Sequence, residues 1–261
     1  MRPAERRRKI LDLVQQSDRV TVEELAEELA TSRETVRRDL ALLSEQGLLR
    51  KFHGGATAAP ATQSAYESPL DERRGRARLE KMRIGRRAAK LFQPGDSLLI
   101  NCGTTTIFFA EQLAQAQNGP FTTITNAALV AAEMWKAPQR GPIHVMGGTY
   151  FGDAFEMLGA QVVEQIGKIH ADHAVLAVGS ISSSGKIMDY SVDEAYVARA
   201  MAESARTVTV LADSSKLNRN ALLQICGPEK IDRLITEKPV DAALESILKI
   251  AGVEIIVAGE E

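Results

Sequence analysis

The residues of this chain best suited to chemistry fall in two groups. In the first, Ser32, Arg33, Glu34, Thr35, Arg37 and Arg38 crowd into seven consecutive positions. At about 100° per residue, Val36, Leu40 and Leu43 share one face of a helix, Glu34, Thr35 and Arg38 fall on the far side, and Arg33 and Arg37 flank it. The outward surface offers guanidiniums to phosphates and to guanine edges, so duplex DNA is the partner it suits. Lys51 and His53 follow in the run Leu48-Leu49-Arg50-Lys51-Phe52-His53-Gly54-Gly55, which reads as a short basic hairpin, or wing.

The second group opens with Asn101-Cys102-Gly103-Thr104-Thr105-Thr106, between an apolar run and a helical stretch. Gly103 permits a tight turn, and amides and hydroxyls from Thr104, Thr105 and Thr106 can converge on an anion, a phosphate cradle without a lysine. The same residues can equally serve as a plain helix cap. Thr125-Asn126, Gly147-Gly148 and Gly179 put small or hydrogen-bonding residues where backbone approaches something closely. Asp213-Ser214-Ser215-Lys216 supplies a carboxylate and an ammonium, and Lys216 suits either a phosphate or plain surface use. Ser191-Val192-Asp193-Glu194 is a capping box, which leaves Asp189 and Tyr190, just ahead of it, as the better ligand contacts.

These residues need elements to hold them. Thr21-Val22-Glu23-Glu24 is a capping box that starts a helix at about Val22, with Val22, Leu25, Ala26 and Leu29 at helical spacing. Thr31-Ser32 interrupts it, and Ser32 caps a second helix over about 33–46, ended by Gly47. Two helices joined so tightly form a helix-turn-helix, which the wing completes. Residues 57–68 read as a linker. Residues 69–90 hold nine basic and three acidic side chains, with Leu79, Met82, Ile84, Ala88 and Leu91 as a broken apolar set. They read as a basic connecting helix that either adds phosphate contacts or presents a solvated face.

Beyond Pro94, strands are expected at 97–100, 122–125, 143–146, 174–178, 208–212, 234–236 and 254–257. Helices are expected between them at about 106–117, 127–136, 160–166, 192–205 and 240–251. That alternation predicts a Rossmann-like α/β fold, a mostly parallel sheet covered on both faces that binds ligand beyond its carboxyl edge. The expected domains are a winged helix-turn-helix at 1–57, a linker and connecting helix at 58–90, and an α/β effector-binding and oligomerisation domain at 91–261.

Composition narrows the classes. With 44% apolar residues the chain is an ordinary globular protein. It has no apolar stretch of membrane-span length and no apolar signal core in its first residues, so a cytoplasmic protein is expected. Cys102 and Cys226 form no CxxC pattern, and His170-Ala171-Asp172-His173 lacks a partner motif, so neither a metal nor a cofactor is expected. The net charge of −2 hides a partition. Residues 1–90 carry 20 Lys/Arg against 14 Asp/Glu, net +6, and residues 91–261 carry 12 against 20, net −8. A basic front with an acidic body fits a modular DNA binder.

The pieces Arg7-Arg8-Lys9-Ile10, Val20-Thr21-Val22-Glu23-Glu24-Leu25-Ala26, Ser32-Arg33-Glu34-Thr35-Val36-Arg37-Arg38-Asp39-Leu40 and His53-Gly54-Gly55-Ala56 strongly resemble the N-terminal domain of the DeoR family of transcriptional regulators. The Gly103-Thr104-Thr105 loop, Thr125-Asn126, Gly147-Gly148, and Asp213-Ser214-Ser215-Lys216 with Arg219-Asn220-Ala221 resemble the family's C-terminal domain. That resemblance implies a sugar-isomerase-like α/β fold that senses a sugar phosphate or related metabolite. It implies a repressor of a sugar or polyol catabolism operon, binding a double-stranded operator as a homodimer or homotetramer. The expected DNA contacts are Thr21, Ser32, Arg33, Glu34, Thr35, Arg37, Arg38, Lys51 and His53. The expected effector contacts are Asn101, Gly103, Thr104, Thr105, Thr106, Thr125, Asn126, Gly147, Gly148, Gly179, Asp189, Tyr190, Asp213 and Lys216. The family commonly has Asp where this chain has Asn101, so a carboxylate role there is lost. An isomerase retained in the C-terminal domain is the enzymatic alternative, with Asp213, Asp189 and Lys216 as its available groups, and a constitutive architectural DNA binder is the third reading.

Overall fold

A computed structural model describes residues 3–16, 20–45, 49–52, 54–58, 70–116 and 119–259. Gln46, Gly47, His53, Gln117 and linker residues 59–68 lie outside the described residues. Two compact units result, Met1–Ala65 and Tyr66–Glu261. No helix among the described residues is long and apolar enough to cross a membrane.

The first unit runs α1 (Pro3–Gln16), β1 (Val20–Thr21), α2 (Val22–Glu28), α3 (Arg33–Glu45), β2 (Leu49–Phe52) and β3 (Gly55–Ala58). Helix α1 is an addition to the elements read from the sequence; its Ile10 and Val14 join Leu25, Val36, Leu40 and Leu43 in one core. Each such large side chain contributes roughly 1.5–3 kcal/mol on burial. Buried Asp39 ties α1 to α3 through Arg6 Nε at 2.6 Å and Arg7 Nε at 3.7 Å. The three short strands form an antiparallel sheet, β1-β3-β2, in which Phe52 faces Gly55 across the wing turn. Gly54 takes a left-handed φ of 98° there. A Cβ on Gly55 would lie 2.3 Å from the Val20 carbonyl oxygen, so only glycine fits.

The second unit starts with α4 (Leu70–Gly75) and α5 (Arg78–Ala89). Its main chain then alternates through β4 (Ser97–Ile100), α6 (Thr104–Gln115), β5 (Thr122–Thr125), α7 (Ala128–Trp135) and β6 (Ile143–Val145). A hairpin of β7 (Thr149–Phe151) and β8 (Glu156–Leu158) precedes α8 (Ala160–Ile166) and β9 (Ala171–Ala177). The chain continues through β10 (Ser180–Ile181), β11 (Ile187–Asp189), α9 (Val192–Glu203), β12 (Ala205–Leu211), β13 (Leu223–Cys226), β14 (Arg233–Thr236), α10 (Ala242–Ile250) and β15 (Glu254–Val257).

Seven strands make one parallel sheet in the order β15-β14-β12-β9-β4-β5-β6. Its residues alternate between two cores. Leu99, Ala174, Leu176, Val208, Val210 and Leu234 face α8, α9 and α10, whereas Leu98, Ile100, Val175, Leu211 and Ile235 face α5, α6 and α7. Burial on both faces explains the near-continuous apolar strands. The chain reverses direction between β4 and β9, and such a reversal opens a crevice at the carboxyl edge.

Residues 70–89 are an integral layer of this unit. Leu70, Ile84, Ala88 and Ala89 are buried in its core, and Gly85 packs so closely on α6 that a Cβ there would lie 2.8 Å from Phe109 N. Lys81 is buried, its Nζ donating to the carbonyls of Arg73 at 2.6 Å and Arg76 at 2.8 Å, where it closes the end of α4 rather than offering a phosphate contact. Leu79, which spacing assigns to the apolar set, is exposed.

Candidate functional site

The surface predicted to meet DNA stands on α3. Arg33, Glu34, Arg37 and Arg38 are exposed, Thr35 is half-buried, and Val36, Asp39, Leu40 and Leu43 hold the opposite face in the core. Two of the expected contacts are occupied by capping. Thr21 Oγ1 accepts from Glu24 N at 3.2 Å while Thr21 N donates to Glu24 Oε2 at 2.7 Å, the full reciprocal box. Ser32 Oγ accepts from Thr35 N at 3.2 Å and shares a 2.9 Å hydrogen bond with Thr35 Oγ1. These residues set where α2 and α3 begin, and the arginines are left facing out. Lys51 is exposed on β2.

At the carboxyl edge of the large sheet, the glycines approach the protein's own chain. A Cβ on Gly103 would meet Ala177 Cβ at 2.3 Å, and one on Gly179 would meet Asp189 Cα and Tyr190 Cδ2 at 3.0 Å. One on Gly148 would meet Val162 Cγ2 at 2.5 Å and Leu158 O at 2.6 Å. The Gly147 backbone is further held by Gln165, whose Oε1 accepts from Gly147 N at 3.2 Å and whose Nε2 donates to Gly147 O at 2.7 Å. The expected pair Gly147-Gly148 therefore stands at the edge strand, two strands from the reversal point.

Asn101 has a specific task at that point. Its Nδ2 donates to Ala177 O and its Oδ1 accepts from Ala177 N, both at 2.8 Å, so the amide stitches β4 to β9 as a backbone unit would. An aspartate could reproduce only the accepting half. Thr125 is likewise engaged, donating to Ile100 O at 2.6 Å and accepting from Ala127 N at 3.0 Å. Thr106, expected in the loop, sits in the first turn of α6, and its hydroxyl reaches the carbonyl oxygens of Asn101 at 2.8 Å and Gly103 at 2.9 Å. Asp213 caps its own short turn by accepting from Ser215 N at 3.0 Å. The bridge between Ile181 and Leu217 brings the half-buried Lys216 turn beside β10. Asp189, buried at the end of β11, accepts from Tyr190 N at 2.7 Å.

Other groups remain open. Helix α6 begins at Gly103 without a side-chain cap, so its first amides and the Thr104 and Thr105 hydroxyls can take an anion. Beside it, the Asn126 side chain is buried; its Nδ2 donates to Glu156 Oε2 at 3.2 Å and Met157 O at 3.0 Å, while its Oδ1 has no partner among the described residues. Ser180 Oγ, also buried, has none among the described residues either.

Glu156 is the residue that the sequence reading passes over. It is 2% exposed on β8, and burial raises its carboxyl from 4.5 to about 7, with the charge of Asp189 adding to the rise. The Asn126 hydrogen bond, the Arg73 charge and a hydrogen bond with Cys102 act in the opposite sense. Burial likewise pushes the Cys102 thiol well above its usual range, and the charges of Glu156 and Glu194 push it the same way. Beside Asn126 at the end of β5, a titratable group so perturbed is a candidate for ligand contact. Glu194 N meanwhile donates to Ser191 Oγ at 3.4 Å at the start of α9. His173 packs into the fold, with Nδ1 at 2.5 Å from Thr207 Oγ1 and Nε2 at 3.2 Å from Asp96.

Comparison with known proteins follows the same division. Residues 6–62 match the model of the DeoR-like helix-turn-helix domain, and residues 76–238 that of the DeoR C terminal sensor domain. The chain is 32% identical over 252 residues to the HTH-type transcriptional repressor CsqR of Escherichia coli K12, covering 97% of this chain and 94% of that one. It is 34% identical over 236 residues to the glycerol-3-phosphate regulon repressor of Haemophilus influenzae, 90% of each chain. Among solved structures, ribose 5-phosphate isomerase A from Methanocaldococcus jannaschii aligns with a TM-score of 0.40 and 14% identity over 54% of this chain and 55% of that one.

Proposed function

The chain belongs to the DeoR family of transcriptional regulators, and from that membership we propose that it is an operator-binding repressor controlled by a phosphorylated sugar or polyol. The observation that carries the reading is the exposed face of Arg33, Arg37 and Arg38 on α3, a face with no part in packing its own unit. Such a helix enters the major groove while the wing, with Lys51, lies along the backbone. One reader covers few base pairs, so the protein acts as a homodimer or homotetramer on repeated or palindromic half-sites. It works where the DNA is, in the cytoplasm, and needs no cofactor.

The effector's phosphate lies at the amino end of α6, against Thr104 and Thr105, and its hydroxyls donate to Asn126 Oδ1 and Glu156. Lys216 adds a positive charge from the neighbouring turn. The names of the relatives support this class of ligand, since one governs a glycerol-3-phosphate regulon. Control requires that the ligand bind the DNA-competent and DNA-incompetent arrangements with different affinity; a coupling of roughly 1–3 kcal/mol changes operator affinity about 5- to 150-fold.

One observation favours the enzymatic reading. Isomerisation needs a base poised near neutrality, and Glu156, raised to about 7, has that property. Its hydrogen bonds to Asn126 and Cys102 suit it better to reading a ligand than to moving a proton, and we assign the domain binding without turnover. Footprinting of the DNA upstream of the protein's own gene, with thermal shifts in glycerol 3-phosphate, glucose 6-phosphate and ribose 5-phosphate, tests the proposal. A protected site and stabilisation by one compound are expected. Turnover of ribose 5-phosphate would favour the isomerase instead.

A further inference from the structure

The face of α3 that points outward carries a carboxylate among its cations. Glu34 stands one helical turn before Arg38, its Oε1 3.5 Å from Arg38 Nε, and the two side chains are 64% and 80% exposed. Arg33 is held in the same way by Glu23 of α2, at 3.4 Å. Arg37, also exposed, has no carboxylate partner among the described residues. A surface made only to grip phosphate gains nothing from Glu34, because a carboxylate facing the duplex weakens the attraction of the backbone. The place of Glu34 in the first turn of α3 suits the helix dipole, but that contribution and the exposed ion pair with Arg38 are both small.

A Glu–Arg pair presents acceptor oxygens and donor N–H groups side by side. In the major groove a G·C pair shows the complementary pattern: guanine N7 and O6 accept, and cytosine N4 donates. We propose that Glu34 is the specificity-determining residue of α3: its carboxylate accepts from a cytosine N4 amine and sets the Arg38 guanidinium on a guanine edge, while its charge suppresses binding to all other sequences. Specificity is a difference of two affinities, and Glu34 widens it from both sides. The inference rests on the DNA-binding reading and goes beyond it by naming the base pair and the residue that rejects the alternatives.

The test is selection from a random-sequence duplex library with the full-length protein, wild type and Glu34→Ala. Affinities for the selected site and for a scrambled duplex are then measured at one salt concentration. Wild type should yield a motif with an invariant G·C pair. Glu34→Ala should melt within a few degrees of wild type, lose the preference at that pair and bind the scrambled duplex more tightly. The ratio of the two affinities should fall about tenfold or more. An unchanged motif and ratio in Glu34→Ala would overturn the assignment of Glu34 and leave the DNA reader standing. No motif from wild type would overturn the DNA-binding reading itself.

Discussion

Glu156 couples the proposed effector site to proton uptake. Its carboxyl is raised from 4.5 to about 7, chiefly by burial, so between those values the folded protein holds a proton that the unfolded chain releases. The protonated form's contribution to stability is complete below about pH 4.5 and is lost as the pH rises through about 7. Glu156→Gln, which keeps the shape and removes the titration, should therefore gain on wild type between about pH 5 and pH 8, by at most ~3 kcal/mol. Denaturant melts of the two proteins across that range check it, and a gap independent of pH would show that Glu156 does not titrate there. Little in the sequence pointed to this residue. Gly103 and Thr104 advertise themselves by type and by their place before a helix, whereas Glu156 is a lone acid in the run Phe155-Glu156-Met157-Leu158. Only the fold brings it to Asn126, 30 positions away. Asn101 was legible as a strand-end amide, but its partner Ala177 was not.

At the scale of elements, what is legible has a local cause. The boxes at Thr21 and Ser32 start α2 and α3 because each cap bonds amides within three residues. The central strands of the large sheet are readable because burial on both faces makes runs such as Leu98-Leu99-Ile100 and Ala174-Val175-Leu176 apolar, whereas the edge strands β6 and β15 are largely exposed and β5 reads Thr122-Thr123-Ile124-Thr125. The strands of two to four residues in β7, β8, β10, β11 and β13 are too short to show a period, and α1 hides its few apolar residues among arginines. Close packing was also beyond reach: Gly85 reads as a weak point in a helix, yet it is where α5 meets the Phe108 carbonyl carbon, 2.9 Å from an added Cβ. Gly85→Ala should push α5 away from α6 and destabilise the second unit by ~1–3 kcal/mol. A urea midpoint equal to or above that of wild type would contradict that packing argument.

For the molecule as a whole, topology divides the labour more sharply than charge does. The expected basic front is redistributed by the fold: Met1–Ala65 carries 11 Lys/Arg against 10 Asp/Glu, net +1, while residues 66–90, with 9 against 4 and net +5, belong to the second unit, so the reader's attraction for the duplex rests on the exposed arginines of α3 and not on its net charge. Arg38→Ala should weaken operator binding about 5- to 150-fold while the response of thermal stability to a sugar phosphate stays as in wild type. Loss of both would mean that the two units do not have separate tasks. The most direct measurement is fluorescence anisotropy of the full-length protein on its operator, at fixed salt, titrated with a series of sugar and polyol phosphates. One of them should release the DNA with a shift of about 5-fold or more, and Lys216→Ala should bind the operator normally but fail to respond. Operator binding that no phosphorylated sugar or polyol alters would contradict the account.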